Sequence, residues 1–218
     1  MLNAHPLQGR AREGRRFLVA LVVLFGLYFS ALPWMRRALV GAVDSVVVSV
    51  PFFLGWLAAA QLFLILSRHL PRPRLGHREL TRPDLLAAAV ITLGLMGAAA
   101  TTHAALLRAG VEVPTAPHAP WAVALYALFV PVQEYMARGV LLGGLLEYAQ
   151  GSWGPALSCV VCAGLYASLH LYLGVSIALV VFIPGLLWSY LYYRSRSVLL
   201  VSASHLACGL FYLYVLGV

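Results

Sequence analysis

Long apolar stretches, bounded by arginine-rich or proline-rich segments, recur along the whole chain. A helix needs roughly 20 consecutive apolar residues to cross about 30 Å of hydrocarbon. Stretches that reach or approach this length are Phe17–Trp34, Val43–Ser67, Leu85–Leu107, Trp121–Tyr148, Ala156–Leu173, Val175–Tyr193 and Val198–Val218. The pattern predicts an all-α, polytopic integral membrane helix bundle of about seven transmembrane helices. The segments from His69 to Arg78 and from Val111 to Pro120, the second with Pro114, Pro117 and Pro120, read as loops. Residues 1–218 are expected to form a single integral membrane domain: a basic tail over 1–16, an N-terminal helix pair over 17–67 and a helix bundle over 85–218. No internal repeat supports an inverted-repeat transporter.

Composition strengthens this reading. The chain is 62% hydrophobic and only 10% charged, against roughly a quarter charged in a soluble domain. Its 15 basic residues are all arginine. Arg10, Arg12, Arg15, Arg16, Arg68, Arg72, Arg74, Arg78, Arg82, Arg194 and Arg196 fall on one side of a seven-span arrangement, and Arg36, Arg37 and Arg108 on the other. The positive-inside rule then puts the N-terminus in the cytoplasm. The net charge of +8 follows from topology and contact with the lipid bilayer, and nucleic acid is not an expected partner. The first apolar run exceeds a signal-peptide core and leads into Pro33-Trp34-Met35-Arg36-Arg37, so it is expected to remain as an anchor. Cys159, Cys162 and Cys208 all fall in predicted spans, without metal-ribbon spacing, and read as packing residues.

Polar chemistry inside the apolar stretches is concentrated in three places. Gln133, Glu134 and Arg138 lie on the fourth span. Tyr166-Ala167-Ser168-Leu169-His170 lies on the fifth, and Ser202-Ala203-Ser204-His205-Leu206-Ala207-Cys208-Gly209 on the seventh. Ionisable side chains in hydrocarbon cost several kcal/mol each and persist mainly when paired or turned to a cavity. Glu134 and Arg138, at spacing (i, i+4), share one helix face with the acid N-terminal to the base. Each cluster alone has a structural explanation: an ion pair, or a histidine bonding a neighbouring helix. Gly139, Gly143 and Gly144 read as close-packing positions and Pro131 as a kink. The three clusters at comparable depth would bring one carboxylate and two imidazoles to one buried pocket.

In order and spacing the clusters resemble the CPBP intramembrane glutamic proteases, which include type II CAAX prenyl endopeptidases and bacteriocin-processing and immunity proteins. The family pattern is Glu-Glu-x-x-x-Arg, then Phe-x-x-x-His, then a late His-x-x-x-Asn. Here these read Gln133-Glu134-Tyr135-Met136-Ala137-Arg138, Tyr166 to His170, and His205 to Gly209. The sequence departs from the pattern at Gln133, in place of the first Glu, and at Gly209, in place of the Asn on the oxyanion side. The Gln-Glu form resembles that of members likened to sorting enzymes that cut C-terminal anchors.

The resemblance implies an intramembrane endopeptidase of a bacterial inner membrane that acts on a membrane-associated protein or peptide, a C-terminal anchor or a leader, and needs no cofactor. On this reading Glu134 and His170 polarise a water, and His205 stabilises the oxyanion or protonates the leaving amine. Gln133 holds the water or donates its amide, with Arg138 as the ion-pair partner and Tyr166 and Gly209 in support. The alternatives are a catalytically inactive scaffold or immunity-type binder, a metal site of Glu134, His170 and His205, and a thiol mechanism through Cys162 or Cys208.

Overall fold

The computed structural model describes residues 5–41, 55, 79–111, 120–148 and 154–216, and the regular elements among them are all helical. They are α1 (His5–Gly41), α2 (Arg82–Arg108), α3 (Pro120–Glu134), α4 (Gly143–Tyr148), α5 (Gly154–Ser168), α6 (Val175–Ser195) and α7 (Val198–Phe211). A π-helical segment, Tyr135–Leu142, joins α3 to α4, and another, Tyr212–Leu216, follows α7. Apart from residue 55, the predicted second span Val43–Ser67 lies outside the described residues, as do most of the two predicted loops.

Glu13–Met35, Arg82–Arg108 and Val175–Ser195 are long and apolar enough to cross a membrane, and Gly154–Ser168 and Val198–Tyr214 are shorter apolar helices. Val22, Leu86, Leu93 and Leu179 are exposed, whereas Glu134 and Arg138 are 0% exposed. This inverts the usual distribution of a soluble protein and suits a helical bundle whose solvent is hydrocarbon.

Two predicted boundaries move. Helix α1 begins at His5, so Arg10, Arg12, Arg15 and Arg16 ride on the helix. Pro6 falls in its first turn, where a missing N–H leaves no intrahelical bond unmade. The fifth span ends early: α5 stops at Ser168, so His170 sits beyond the helix, in a run of tight turns. There the His170 N–H bonds the Ala167 carbonyl at 2.9 Å and the Leu173 N–H bonds the His170 carbonyl at 2.9 Å. The Ser168 hydroxyl donates to the Leu165 carbonyl at 2.7 Å, and the Tyr28 hydroxyl donates to the Ser168 carbonyl at 2.8 Å. These side-chain bonds compete for carbonyls that a continuing helix would use. Gly174, at φ +124°, then redirects the chain into α6 through a conformation that L side chains rarely adopt.

Two compact units make up the chain: Met1–Pro73 with Val140–Gly185, and Arg74–Gly139 with Leu186–Val218. In the first, α1 packs on α4 and α4 on α5. Phe17 is fully buried there, its ring centroid 5.5 Å from that of Tyr148. A Cβ built on Gly144 collides with the Phe17 ring, in keeping with the close-packing role expected of this glycine. Gly144→Ala is therefore expected to cost about 1–3 kcal/mol by overpacking. Its melting temperature in detergent should fall, and pairing it with Phe17→Leu should recover part of the loss.

In the second unit α7 packs against both α2 and α3. A tight corner joins α6 to α7. Arg196 takes φ 54°, its N–H bonds the Tyr192 carbonyl at 2.7 Å, and the Ser197 hydroxyl caps α7 by accepting from the Leu200 N–H at 3.2 Å. Arg194 Nε lies 3.5 Å from Asp84 Oδ1. Asp84 Oδ2 also accepts from the Thr81 N–H at 3.1 Å and the Thr81 hydroxyl at 2.6 Å, which closes the start of α2. The start of α2, the end of α6 and the start of α7 thus meet at one end of this unit. That end carries Arg82, Arg194 and Arg196, three of the arginines that the sequence assigns to one membrane face.

Candidate active site

The α6–α7 corner sets the level of the site. Trp188 precedes it, and Ser204 and His205 follow it, by similar lengths of helix, on the order of 12 Å at 1.5 Å per residue. Thr92 stands about as far along α2 from Asp84. The Trp188 indole N–H donates to Ser204 Oγ at 3.1 Å, Ser204 Oγ and Thr92 Oγ1 are 2.7 Å apart, and the Thr92 hydroxyl donates to the Ala88 carbonyl at 2.7 Å. Thr92 has one hydroxyl proton and gives it to Ala88, so Ser204 accepts from Trp188 and donates to Thr92. This chain holds the indole against the His205 imidazole, with centroids 4.1 Å apart and planes inclined by 24°.

Helix α3 brings the acid. Pro131 cannot donate within α3, and three residues later the helix passes into the π-helical segment, whose wider turn carries Arg138. Arg138 Nη1 donates to Glu134 Oε1 at 3.2 Å and lies 3.1 Å from Oε2. His205 Nδ1 lies 2.7 Å from Oε1. Oε1 therefore serves two donors, while Oε2 faces Arg138 and accepts no hydrogen bond among the described residues. Arg138 Cζ is also 5.9 Å from the Trp188 ring, so indole, imidazole, guanidinium and carboxylate form one buried group.

The expected pairing of Glu134 with Arg138 is present, and His205 joins it from α7. Gln133 is half-buried beside Glu134 and makes no hydrogen bond among the described residues. Tyr166 and His170 belong to the first unit, where His170 Nδ1 lies 3.1 Å from the Tyr166 carbonyl and the two rings meet edge-on at 5.1 Å. Cys159, Cys162 and Cys208 are buried, and the Cys208 thiol points to the Thr92 carbonyl at 3.8 Å.

Sequence reasoning passed over Trp188, Thr92 and Tyr126. The Tyr126 ring meets His205 edge-on, with centroids 6.2 Å apart, and a Cβ on Gly209 would collide with its hydroxyl. Tyr126, Val130 and Glu134 follow one another at spacing four on α3, a signal available in the sequence. Trp188 carries no such signal, because an aromatic in an apolar run reads as lipid-facing or core.

Chemically, a carboxylate that accepts from a guanidinium and an imidazole N–H is a poor proton acceptor and a good orienting group. The imidazole so oriented has its Nε2 available for proton transfer.

Residues 115–211 match the family model described as type II CAAX prenyl endopeptidase Rce1-like. The match takes in all three sequence motifs and agrees with the resemblance drawn from them. No curated protein and no solved structure matches the chain.

Proposed function

We propose that this chain is an intramembrane endopeptidase that cuts a membrane-associated protein or peptide, a C-terminal anchor or a leader, without a metal ion. The observation that carries the reading is the 2.7 Å contact of His205 Nδ1 with the fully buried Glu134, within a region that matches a family of endopeptidases. The proposal extends to about seven spans in a bacterial inner membrane, and the positive-inside reading of the arginines supports a cytoplasmic N-terminus.

With Nδ1–H given to Glu134, the His205 lone pair is on Nε2. A water loses a proton to Nε2 as its oxygen bonds the carbonyl carbon, and the carbonyl π pair moves onto oxygen. Glu134 stabilises the imidazolium. The oxyanion then re-forms the carbonyl, the C–N bond breaks, and Nε2 returns the proton to the leaving amine. Arg138 keeps the carboxylate in place throughout. This gives His205 the proton-carrying role and Glu134 the orienting one. Gln133, next to Glu134 on α3, is proposed to hold the water.

Metal independence is part of the proposal, and the mutual contact of Glu134 Oε1 with His205 Nδ1 is what supports it. The scaffold reading draws on Gln133, but the Glu134–His205 contact does not pass through that side chain.

The test uses the full chain in liposomes with single-span proteins encoded beside it, followed by intact mass. Wild type should release a shortened product, EDTA should leave the rate unchanged, and Gln133→Glu should add little. Cleavage by Gln133→Glu alone would identify the wild type as a scaffold, and loss in EDTA restored by zinc would identify a metal site.

A further inference from the structure

The reaction above needs a donor for the developing oxyanion, and the helix face that carries His205 supplies none one turn further on, because position 209 is glycine. The space above Gly209 is nevertheless filled. A Cβ there would run into the hydroxyl and the adjoining ring carbons of Tyr126, so the phenol reaches across from α3 and ends against the α7 backbone. Gly209 and His205 stand four residues apart on one face of α7, and the Tyr126 ring is edge-on to the imidazole at 79°. Its hydroxyl makes no hydrogen bond among the described residues. A half-buried hydroxyl in an apolar setting costs free energy until it finds an acceptor. His205, one turn back along α7 from Gly209, faces the Tyr126 ring at 6.2 Å and contacts Glu134 at 2.7 Å.

We propose that Tyr126 is a catalytic residue of this site, whose hydroxyl donates to the carbonyl oxygen of the scissile peptide as it becomes an oxyanion, and that Gly209 is glycine to admit it. This rests on the protease reading. In the step in which water adds to the carbonyl carbon, the π pair arriving on oxygen meets the phenol proton, which stays on Tyr126 as a hydrogen bond. The proton from water goes to His205 Nε2, so no oxidant or further reactant is needed.

The test compares two probes on the full chain in detergent: N-dodecanoyl-Ala-Ala methyl ester, and its phosphonamidate isostere, which carries a tetrahedral oxyanion in place of the internal amide. Tetrahedral analogues bind about a hundredfold or more tighter than substrates. Wild type should prefer the phosphonamidate by about that factor. Tyr126→Phe, which retains the ring against His205 and Gly209, should lose most of the preference while binding the amide unchanged. Tyr126→Ala/Gly209→Asn, which puts an amide donor into the vacated space, should regain part of it. A preference that survives in Tyr126→Phe overturns the role of Tyr126 alone. A wild type that binds the two probes equally, or neither, overturns the protease reading and the role of Tyr126 with it. Equal weakening of both probes in Tyr126→Phe would mark the phenol as a packing group and overturn the proposal.

Discussion

Arg138→Ala is expected to cost about 3–5 kcal/mol of stability, because it leaves the Glu134 carboxylate buried without its guanidinium. Domains carry only about 5–15 kcal/mol in all, so this variant should be largely lost to aggregation or degradation. The same logic makes the double change milder. Glu134→Gln/Arg138→Gln removes both charges, retains the side-chain lengths and leaves two amides able to bond each other and His205. It should accumulate better than Arg138→Ala, and a double-mutant cycle should show strong coupling. Yield of folded monomer and melting temperature in detergent measure both effects. Equal losses for Arg138→Ala and the double variant would show that charge burial is not what Arg138 relieves.

His205→Ala should act in the opposite way, sparing the fold and removing the chemistry. Glu134 keeps its 3.2 Å bond to Arg138 when the imidazole is gone, and Trp188 keeps its bond to Ser204, so the framework around the vacancy persists. General acid–base groups contribute about a hundredfold to ten-thousandfold. A loss of about a thousandfold in kcat is expected, with KM little changed, because the proton carrier does not grip the substrate. Progress curves with the cleavage assay, alongside melting temperature, separate this from a folding defect.

The sequence displayed much of this, and its omissions have physical reasons. Charged residues are expensive in hydrocarbon, so Glu134 and Arg138 stand out from their neighbours, and the (i, i+4) spacing alone predicts their contact. The motif order likewise marks His205 as a partner. The end of α5 was not legible, because the bonds from Tyr28 and from the Ser168 hydroxyl that stop it come from one distant side chain and one small local one. The π-helical turn at Tyr135–Leu142 was hidden for a related reason: its residue pattern does not distinguish a π turn from an ordinary α-helical one, and only the packed structure selects the wider turn. Trp188 and Thr92 were missed because aromatic and hydroxyl side chains in an apolar run carry no cost that singles them out. Their roles arise from matched heights on α2, α6 and α7, which the corner at Arg196 sets. Gly209 was legible as a departure from the family pattern, but its counterpart on α3 was not, since a steric fit between helices leaves no trace in spacing.

The central claim is that Glu134 acts through His205 as one unit. It is tested most directly by a kinetic double-mutant cycle of wild type, Glu134→Gln, His205→Ala and the double variant, each measured for kcat on one membrane-anchored substrate. Residues that work as a unit are strongly non-additive. The account predicts that either single change lowers kcat by about a thousandfold and that the double variant is no slower than His205→Ala. Losses that multiply, with the double variant slower than either single by the full product, would contradict it.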